Sequence, residues 1–263
     1  MRLLNWMHED FVSVLSSGSS GNSFLAMSRG RGVLIDAGIS CRELERRMSL
    51  FGTEPSQIDA VILTHEHTDH VRGARRFAEE FGIPIYGSRG TLALTPLQGI
   101  ETVAITPSRD LTIGHLHLRP FKVRHFASEP VAFSVTIGSK KASIASDLGC
   151  VTPSVIDEMS DSNIMFVEAN YDENMLLSGA YPDFLKRAIQ GDHGHLSNDD
   201  AGILSRKAST RRTRRIVLVH LSMENNTPKR ALETVERDVS RSGLNVEIEV
   251  SEHGHASGPF ALG

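Results

Sequence analysis

The chain has 263 residues, of which 40% are hydrophobic and 23% are charged, and its formal net charge is −4. This composition is ordinary for a globular protein that buries a large core, and the length fits one large α/β domain or two small ones. The mildly negative net charge excludes a protein that draws nucleic acid through its overall field, so any attraction to phosphates must be local.

The chain shows no targeting or membrane segment. Its first ten residues lack the apolar core of a secretory signal, and no apolar run approaches the roughly 18 residues that cross a bilayer. Cys41 and Cys150 form no CxxC pair, which fits a reducing compartment. From these features we expect a soluble, cytoplasmic protein without membrane contact. Because no repeat or linker divides the chain, we also expect residues 1–263 to form a single domain.

The first two predicted strands, 11–15 and 23–27, are joined by seven small polar residues, more than a tight hairpin needs. This run is either a flexible turn or a nest of N–H groups and hydroxyls that holds an anion such as a phosphate. A third strand, 32–38, follows, and then a helix to about residue 51 that Ser40 and Glu43 cap. The candidate substrate contacts in the polar run are Ser17, Ser19, Ser20 and Asn22.

A metal-binding pattern begins where the next apolar run, 60–63, ends. In an extended segment residues two apart point the same way, so His65 and His67 can close on one metal ion. As the chain then turns into a helix, Asp69 and His70 come round beside them and can hold a second ion. Imidazole suits zinc and its neighbours, and packing does not explain three histidines and an aspartate within six positions.

Periodicity gives the remaining elements. An apolar stripe at helical spacing over 71–81 predicts a helix, and 83–112 reads as short strands and connections. The stretch 115–123 alternates with period two, which predicts a strand with His115 and His117 on its solvent-facing side. Further strands are predicted at 131–138, 141–146, 163–168 and 215–219.

Side chains that can carry chemistry recur just beyond the ends of these strands. Such positions are held by His65, His125, Asp147 and His220. In sheet proteins, functional groups gather at strand ends because loops converge there. The pattern therefore indicates one site to which several strands contribute.

Two histidines lie just before a helix predicted to begin near Asp199. Helix N-termini are anion sites because their first N–H groups are unpaired. Ser197 and Asp200 make a capping box, which accounts for the serine but not for His193 and His195.

The C-terminal third gives weaker signals. The run 206–215 contains six basic residues and no acidic one, and it is either a solvated helix end or a patch that tracks phosphates. Thr227 is expected to cap a helix that begins at Pro228. The residues after 251 read as a tail.

These motifs resemble those of the metallo-β-lactamase superfamily in its two-metal form. The sequence His65-x-His67-x-Asp69-His70 is similar to the superfamily signature. The run 16–22 resembles the opening of the YycJ/WalJ-like exonuclease branch, and so do three further stretches, at 168–170, 191–198 and 220–228. The resemblance implies an α/β fold with four αββα layers, in which two mixed β-sheets carry helices outside.

The resemblance also implies a ligand set. One ion would take His65, His67 and His125, and a second would take Asp69, His70 and His220. Asp147 would bridge the two ions, with a hydroxide between them, and Asp36 would support the site from outside. Zinc is the expected metal, with manganese or iron as alternatives. Relatives usually have Asp-Ala after the third-motif histidine, where this chain has Phe126-Ala127, so His125 is the ligand to check first.

In the tRNA-processing nucleases of the superfamily, a histidine paired with a glutamate at a strand end helps protonate the leaving group. That resemblance makes His195 the candidate general acid and Glu168 its orienting partner, and Asp69 completes the candidate catalytic set. The remaining candidate contacts with a substrate are His193, Ser197 and Ser222.

The expected function is a two-metal phosphodiesterase acting on DNA, by resemblance a 5′-to-3′ exonuclease with a repair or housekeeping role. The stretch between Asp147 and His220 is too short for a large inserted nucleic-acid clamp. The compact enzyme with an open cleft that this implies suits the ends of DNA strands better than internal sequences. The alternatives are an RNA-processing nuclease, a glyoxalase-type thioester hydrolase, and a non-catalytic metalloprotein. Nucleic acid, and DNA in particular, is the expected partner.

Overall fold

A computed structural model describes residues 9–262 of the chain, so the N-terminal stretch examined for a signal lies mostly outside the described residues. Fourteen strands occur in the described part. In chain order they are β1 (Phe11–Ser16), β2 (Ser23–Ser28), β3 (Arg31–Ile35), β4 (Ile58–Ile62), β5 (Ile85–Ser88), β6 (Thr102–Ile105), β7 (Leu111–Ile113), β8 (Leu116–Lys122), β9 (Val131–Ile137), β10 (Lys140–Ala145), β11 (Ile164–Glu168), β12 (Arg215–Val219), β13 (Glu247–Val250) and β14 (Ser257–Ala261).

The helices lie between these strands. They are α1 (Cys41–Ser49), α2 (Thr68–Val71), α3 (Ala74–Phe81), α4 (Arg89–Leu94), α5 (Pro153–Met159), α6 (Glu173–Ser178), α7 (Asp183–Gln190), α8 (Asn198–Ala208) and α9 (Pro228–Val239). Among residues 9–262, no helix is both long enough and apolar enough to cross a membrane.

The strands form two seven-stranded sheets of mixed direction. The first has the order β14-β1-β2-β3-β4-β5-β6, and the second has the order β13-β12-β11-β10-β9-β8-β7. In the first sheet the pairs from β3 to β6 are parallel, and in the second the pairs from β10 to β13 are parallel. The remaining pairs are antiparallel.

The core has three apolar layers, which confirms the predicted αββα sandwich. Successive side chains of a strand face opposite sides of its sheet. On β10 and β11, Ile144 and Phe166 face the other sheet, whereas Ala145 and Val167 pack under α5, α8 and α9. The rings of Phe166 and Phe24 meet edge to face across the two sheets at 5.6 Å. A third layer packs α1 and α3 on the first sheet.

The structure differs from the sequence prediction at three places. The helix predicted over 71–81 is broken into α2 and α3 at Gly73, where a Cβ would lie 2.0 Å from the Ile39 carbonyl oxygen. The segment 83–112 contains the helix α4 besides its strands. The prediction of a tail after residue 251 is wrong, because β14 pairs with β1 at the edge of the first sheet.

Cys41 provides a test of the packing under α1. The side chain is buried, and burial followed by the charge of Glu45 raises the pKa of its thiol to about 12. Since thiolate is the species that reacts with iodoacetamide, we expect Cys41 to resist alkylation near pH 8. Cys150→Ser leaves Cys41 as the sole cysteine, so mass spectrometry of that variant reads this thiol alone. Alkylation of the folded variant as fast as of the urea-unfolded control would contradict the packing.

Candidate metal centre

The candidate residues converge beyond the C-terminal ends of strands from both sheets, where turns follow those strands. Asp36 follows β3, Asp147 follows β10 and His220 follows β12. All three have left-handed backbone conformations, with φ of 61°, 55° and 58°. Residues other than glycine adopt this region at a cost in free energy, and such strain concentrates at functional sites. These sharp turns are what direct side chains from separate strands into one place.

The structure brings the seven expected ligands into overlapping groups. The candidate ligand atoms of His65, His67 and His125 lie within 4.8 Å of one another, and so do those of Asp69, His70 and His220. Asp147 lies between the groups, 3.0 Å from His70 Nε2, 3.6 Å from His125 Nε2 and 3.7 Å from His220 Nε2. His125, the ligand placed in doubt by Phe126, is part of the cluster.

Each histidine of the cluster has one ring nitrogen engaged by the protein. Because carbonyl and carboxylate oxygens only accept hydrogen bonds, these contacts fix which nitrogen carries the proton. The contacts are His67 Nε2 to the Phe126 carbonyl (2.9 Å), His125 Nδ1 to the Gly194 carbonyl (2.9 Å), His70 Nδ1 to Asp36 (2.7 Å) and His220 Nδ1 to Glu168 (2.8 Å). The other nitrogen of each ring faces the cluster, as in metal-binding histidines.

Thr64 extends this support to His65. Its backbone N–H and its hydroxyl both donate to the buried Asp36 carboxylate at 2.8 Å, and its hydroxyl oxygen lies 3.0 Å from His65 Nδ1. Asp36 thus holds His70 directly and His65 through Thr64. This is the supporting position outside the ligand set that the family resemblance implies for Asp36.

The donor set fits a divalent cation. His65 Nε2 and His220 Nε2 are buried without a hydrogen-bond partner, a costly state for a polar atom unless a ligand occupies the site. Burial and the neighbouring His70 lower the pKa of His65 well below its ordinary value, which keeps its lone pair free. Burial alone would raise the pKa of Asp147, yet His220 and His70 hold it well below its ordinary value. Burial opposes protonation of His70 and His220, but the surrounding carboxylates, Asp147 first, raise the pKa of His70 well above its ordinary value and that of His220 to about 10. These carboxylates therefore stabilise positive charge in the cluster, which a bound cation would supply in place of the protons.

The polar run after β1 holds the cluster from behind. Asn22 is fully buried, and its Nδ2 lies 3.1 Å from Asp69 Oδ2 and 3.0 Å from His70 Nε2. The Ser17 hydroxyl accepts a hydrogen bond of 2.7 Å from the backbone N–H of His220. We expected both residues to bind substrate, but the structure uses them to position the candidate ligands, because their polar groups are buried and already paired.

Glu168 joins the two halves of the site. It is fully buried, and its Oε1 accepts hydrogen bonds from His195 Nδ1 at 2.7 Å and from His220 Nδ1 at 2.8 Å. Its Oε2 accepts from the backbone N–H groups of Leu148 and Leu196. Burial would lower the pKa of His195, but the charge and the hydrogen bond of Glu168 raise it above its ordinary value. The family resemblance implied the pairing of Glu168 with His195, and the structure adds the hydrogen bond of Glu168 to His220, a candidate metal ligand.

A cleft of about 380 Å³ opens over the cluster. Asp69, Asp147 and His195 line it, together with two of the expected contacts, Ser19 and Ser222. Four further residues that line the cleft, Asn170, Tyr181, Leu185 and Ile189, were not predicted as site residues. The helical apolar spacing of α7 was the signal that could have identified the last two.

Three other expected contacts lie elsewhere. The Ser20 hydroxyl is 2.9 Å from His253 Nε2 on the segment after β13. His193 is exposed at the rim, where its ring packs against Phe126. Ser197 is buried at the start of α8 and accepts a hydrogen bond of 3.0 Å from the Asp200 N–H, so its role is capping rather than substrate contact.

The basic run 206–215 lies away from the cluster. Arg215 begins β12, whereas His220 follows the last residue of that strand, so the two lie at opposite ends of the strand. Arg206 pairs with Asp238, and Arg215 pairs with Glu247 and Glu249. A solvated, ion-paired face describes this run better than a patch that leads phosphates to the site.

Comparison with known proteins agrees with this geometry. A family model described as a β-lactamase superfamily domain matches residues 31–221. The exodeoxyribonuclease WalJ of Streptococcus pneumoniae is 30% identical over 90% of this chain and 91% of its own length. The exodeoxyribonuclease YycJ of Bacillus anthracis is 30% identical over 89% of this chain and 90% of its own.

A solved structure shares the fold. The metallo-β-lactamase fold protein YhfI from Bacillus subtilis superposes with a TM-score of 0.72 at 22% sequence identity. The superposition covers 95% of this chain and 99% of that protein. At this identity the likeness concerns the arrangement of layers and strands only.

Proposed function

This chain belongs to the metallo-β-lactamase superfamily, in the branch of the YycJ and WalJ exodeoxyribonucleases, and we propose that it is a two-metal phosphodiesterase that degrades DNA from an end. It is a metal-dependent hydrolase. The observation that carries the proposal is the pair of donor groups around Asp147, in which surrounding contacts orient the histidines.

In the proposed site, His65, His67 and His125 would hold one ion, Asp69, His70 and His220 would hold the second, and Asp147 is placed to serve both. Imidazole and carboxylate donors without thiolate favour zinc, with manganese and iron as the nearest competitors. When bound, such a pair activates water and clamps the attacking and leaving oxygens of an in-line displacement. No side-chain nucleophile is then required.

His195 is the proposed general acid. Glu168 binds its Nδ1, and a histidine with a raised pKa carries a proton near neutral pH. Because His195 lines the cleft, we assign it the transfer of that proton to the departing 3′ or 5′ oxygen of the substrate. Ser19 and Ser222 also line the cleft and offer hydroxyl donors to the phosphate oxygens.

The choice of DNA and of DNA ends rests on the relatives, and the 5′-to-3′ polarity is proposed from the family resemblance alone. WalJ and YycJ are named exodeoxyribonucleases and match about nine tenths of this chain. The free thiols of Cys41 and Cys150 fit the cytoplasm as the compartment in which the enzyme works.

The proposal is tested with the zinc-, manganese- and iron-loaded protein on DNA and RNA strands labelled at either end, single- and double-stranded, with and without a 5′ phosphate. We expect mononucleotide release from DNA that proceeds from the 5′ end. Asp69→Asn combined with His70→Ala is the inactive control. Metal binding accompanied by cleavage of RNA alone, or of a glutathione thioester alone, would overturn the substrate assignment.

A further inference from the structure

One wall of the cleft is apolar, and hydrolysis at the metal centre makes no use of it. Phe126, Tyr181, Leu185 and Ile189 form this wall. No residue of α7 is buried, so Leu185 and Ile189 face the cleft rather than a core. The cleft therefore offers a polar floor of candidate metal ligands beside an apolar side.

Phe126 is the most exposed part of this wall and is held in place by its backbone. Its side chain is 59% exposed, while its carbonyl accepts the hydrogen bond from His67 Nε2 at 2.9 Å. Next to it, the Ala127 N–H donates to the His125 carbonyl at 2.8 Å, and the Ser128 N–H donates to the Glu66 carboxylate at 2.7 Å. The backbone that carries the ring is thus anchored directly beside two candidate metal ligands, His67 and His125.

A second ring supports the first. The imidazole of His193 packs against Phe126 with ring centroids 5.7 Å apart and an interplanar angle of 39°. An aromatic side chain is costly to leave in water, since burying it is strongly favourable. A flat ligand group that covers the ring would recover that free energy. Nucleic acid presents such groups next to every phosphate.

We propose that Phe126, backed by His193, is a stacking platform for the base of a nucleotide that flanks the scissile phosphate. This rests on the proposed nuclease function and adds to it a residue that selects unpaired over paired ends. Stacking uses the face common to all bases, so the contact tolerates any sequence. It also requires a base freed from its own duplex stack, so the enzyme would prefer single-stranded or frayed ends.

The platform is tested by pairing a side-chain deletion with a base deletion. For Phe126→Ala we expect KM on a single-stranded oligonucleotide to rise about 5- to 150-fold, the range for one base on one aromatic ring. On a strand with abasic residues at both nucleotides that flank the scissile bond, the ratio of the variant KM to the parent KM should fall towards one. Phe126→Trp should keep the KM of the parent on the intact strand.

Phe184→Ala is the matched control. Phe184 is also an exposed phenylalanine, at 69%, but it does not line the cleft. Its replacement should leave KM unchanged on both strands. Equal KM increases for Phe126→Ala on intact and abasic strands would overturn the platform, because they would show a general disturbance of the site rather than loss of stacking.

A binding measurement separates this inference from the nuclease assignment. A phosphorothioate strand with 2-aminopurine beside the protected linkage reports stacking by its fluorescence, without turnover. We expect the parent to change this fluorescence and Phe126→Ala to abolish most of the change. Cleavage by the parent without a fluorescence change leaves the nuclease standing and removes the platform. If the parent shows neither cleavage nor a fluorescence change, both the nuclease assignment and the platform are overturned.

Discussion

Replacing Asp147 by asparagine is expected to lower kcat by ~10³-fold or more, with loss of at least one of two bound metal ions per chain. Asp147 is the carboxylate shared by both donor groups, within 3.0 to 3.7 Å of the facing nitrogens of three histidines. Asparagine keeps its shape but removes the negative charge that offsets two dications. Because asparagine tolerates left-handed backbone, the turn at φ 55° should survive the change.

The measurement is kcat together with metal content by plasma mass spectrometry, at an equal folded fraction judged by circular dichroism. Asp192→Asn is the matched control, since Asp192 is an exposed aspartate near the cleft that pairs with Arg124. It should retain two ions and the kcat of the parent. An Asp147→Asn protein that binds two ions and keeps kcat within tenfold of the parent would remove Asp147 from the metal centre.

The local chemistry of the site could be predicted from the sequence because it is encoded in short stretches. His65, His67, Asp69 and His70 lie within six consecutive positions that follow one strand, so their convergence needs no knowledge of the fold. The layer architecture followed from the strand periodicity and the family resemblance together. Long, alternating strands such as β8 were the easiest elements to place.

Contacts between distant parts of the chain could not be predicted in this way. Ser17 supports His220 across 203 positions, and nothing in the serine-rich run indicates that partner. The strand β14 contains two residues, Gly258 and Pro259, that disfavour strands, and it forms because β1 offers a free edge. In both cases the deciding interaction is tertiary.

The direction of a strand decided one further question. The basic run that ends at Arg215 is close in sequence to His220, which made a phosphate-tracking role plausible from the sequence alone. Arg215 begins the five-residue strand β12 and His220 follows its last residue, so the length of the strand, about 13 Å at ~3.3 Å per residue, separates the two. Residues at the two ends of a strand are close in sequence but are separated in space by the length of the strand.

The second large effect is expected at Glu168, whose replacement by glutamine should lower both kcat and metal affinity. Four donors converge on this carboxylate, two from histidines on Oε1 and two from backbone N–H groups on Oε2. Glutamine has one oxygen, so its amide must face either the histidines or the backbone donors. Two buried donors then lack an acceptor, at ~1–3 kcal/mol each. We expect metal affinity to fall about 10- to 100-fold through His220 and kcat to fall about 10²- to 10⁴-fold through His195.

Comparison with His195→Ala separates the two roles of Glu168. The alanine variant removes the proposed proton donor but leaves the Glu168–His220 hydrogen bond, so it should keep both metal ions while kcat on DNA falls about 10²- to 10⁴-fold. On a p-nitrophenyl ester of thymidine monophosphate, whose leaving group needs no proton, its loss should shrink to less than about tenfold. Glu158→Gln, which affects a glutamate paired with Arg119 far from the cleft, is the control for both variants. Unchanged turnover of DNA by His195→Ala would exclude it as the general acid, and Glu168 would then act on His220 alone.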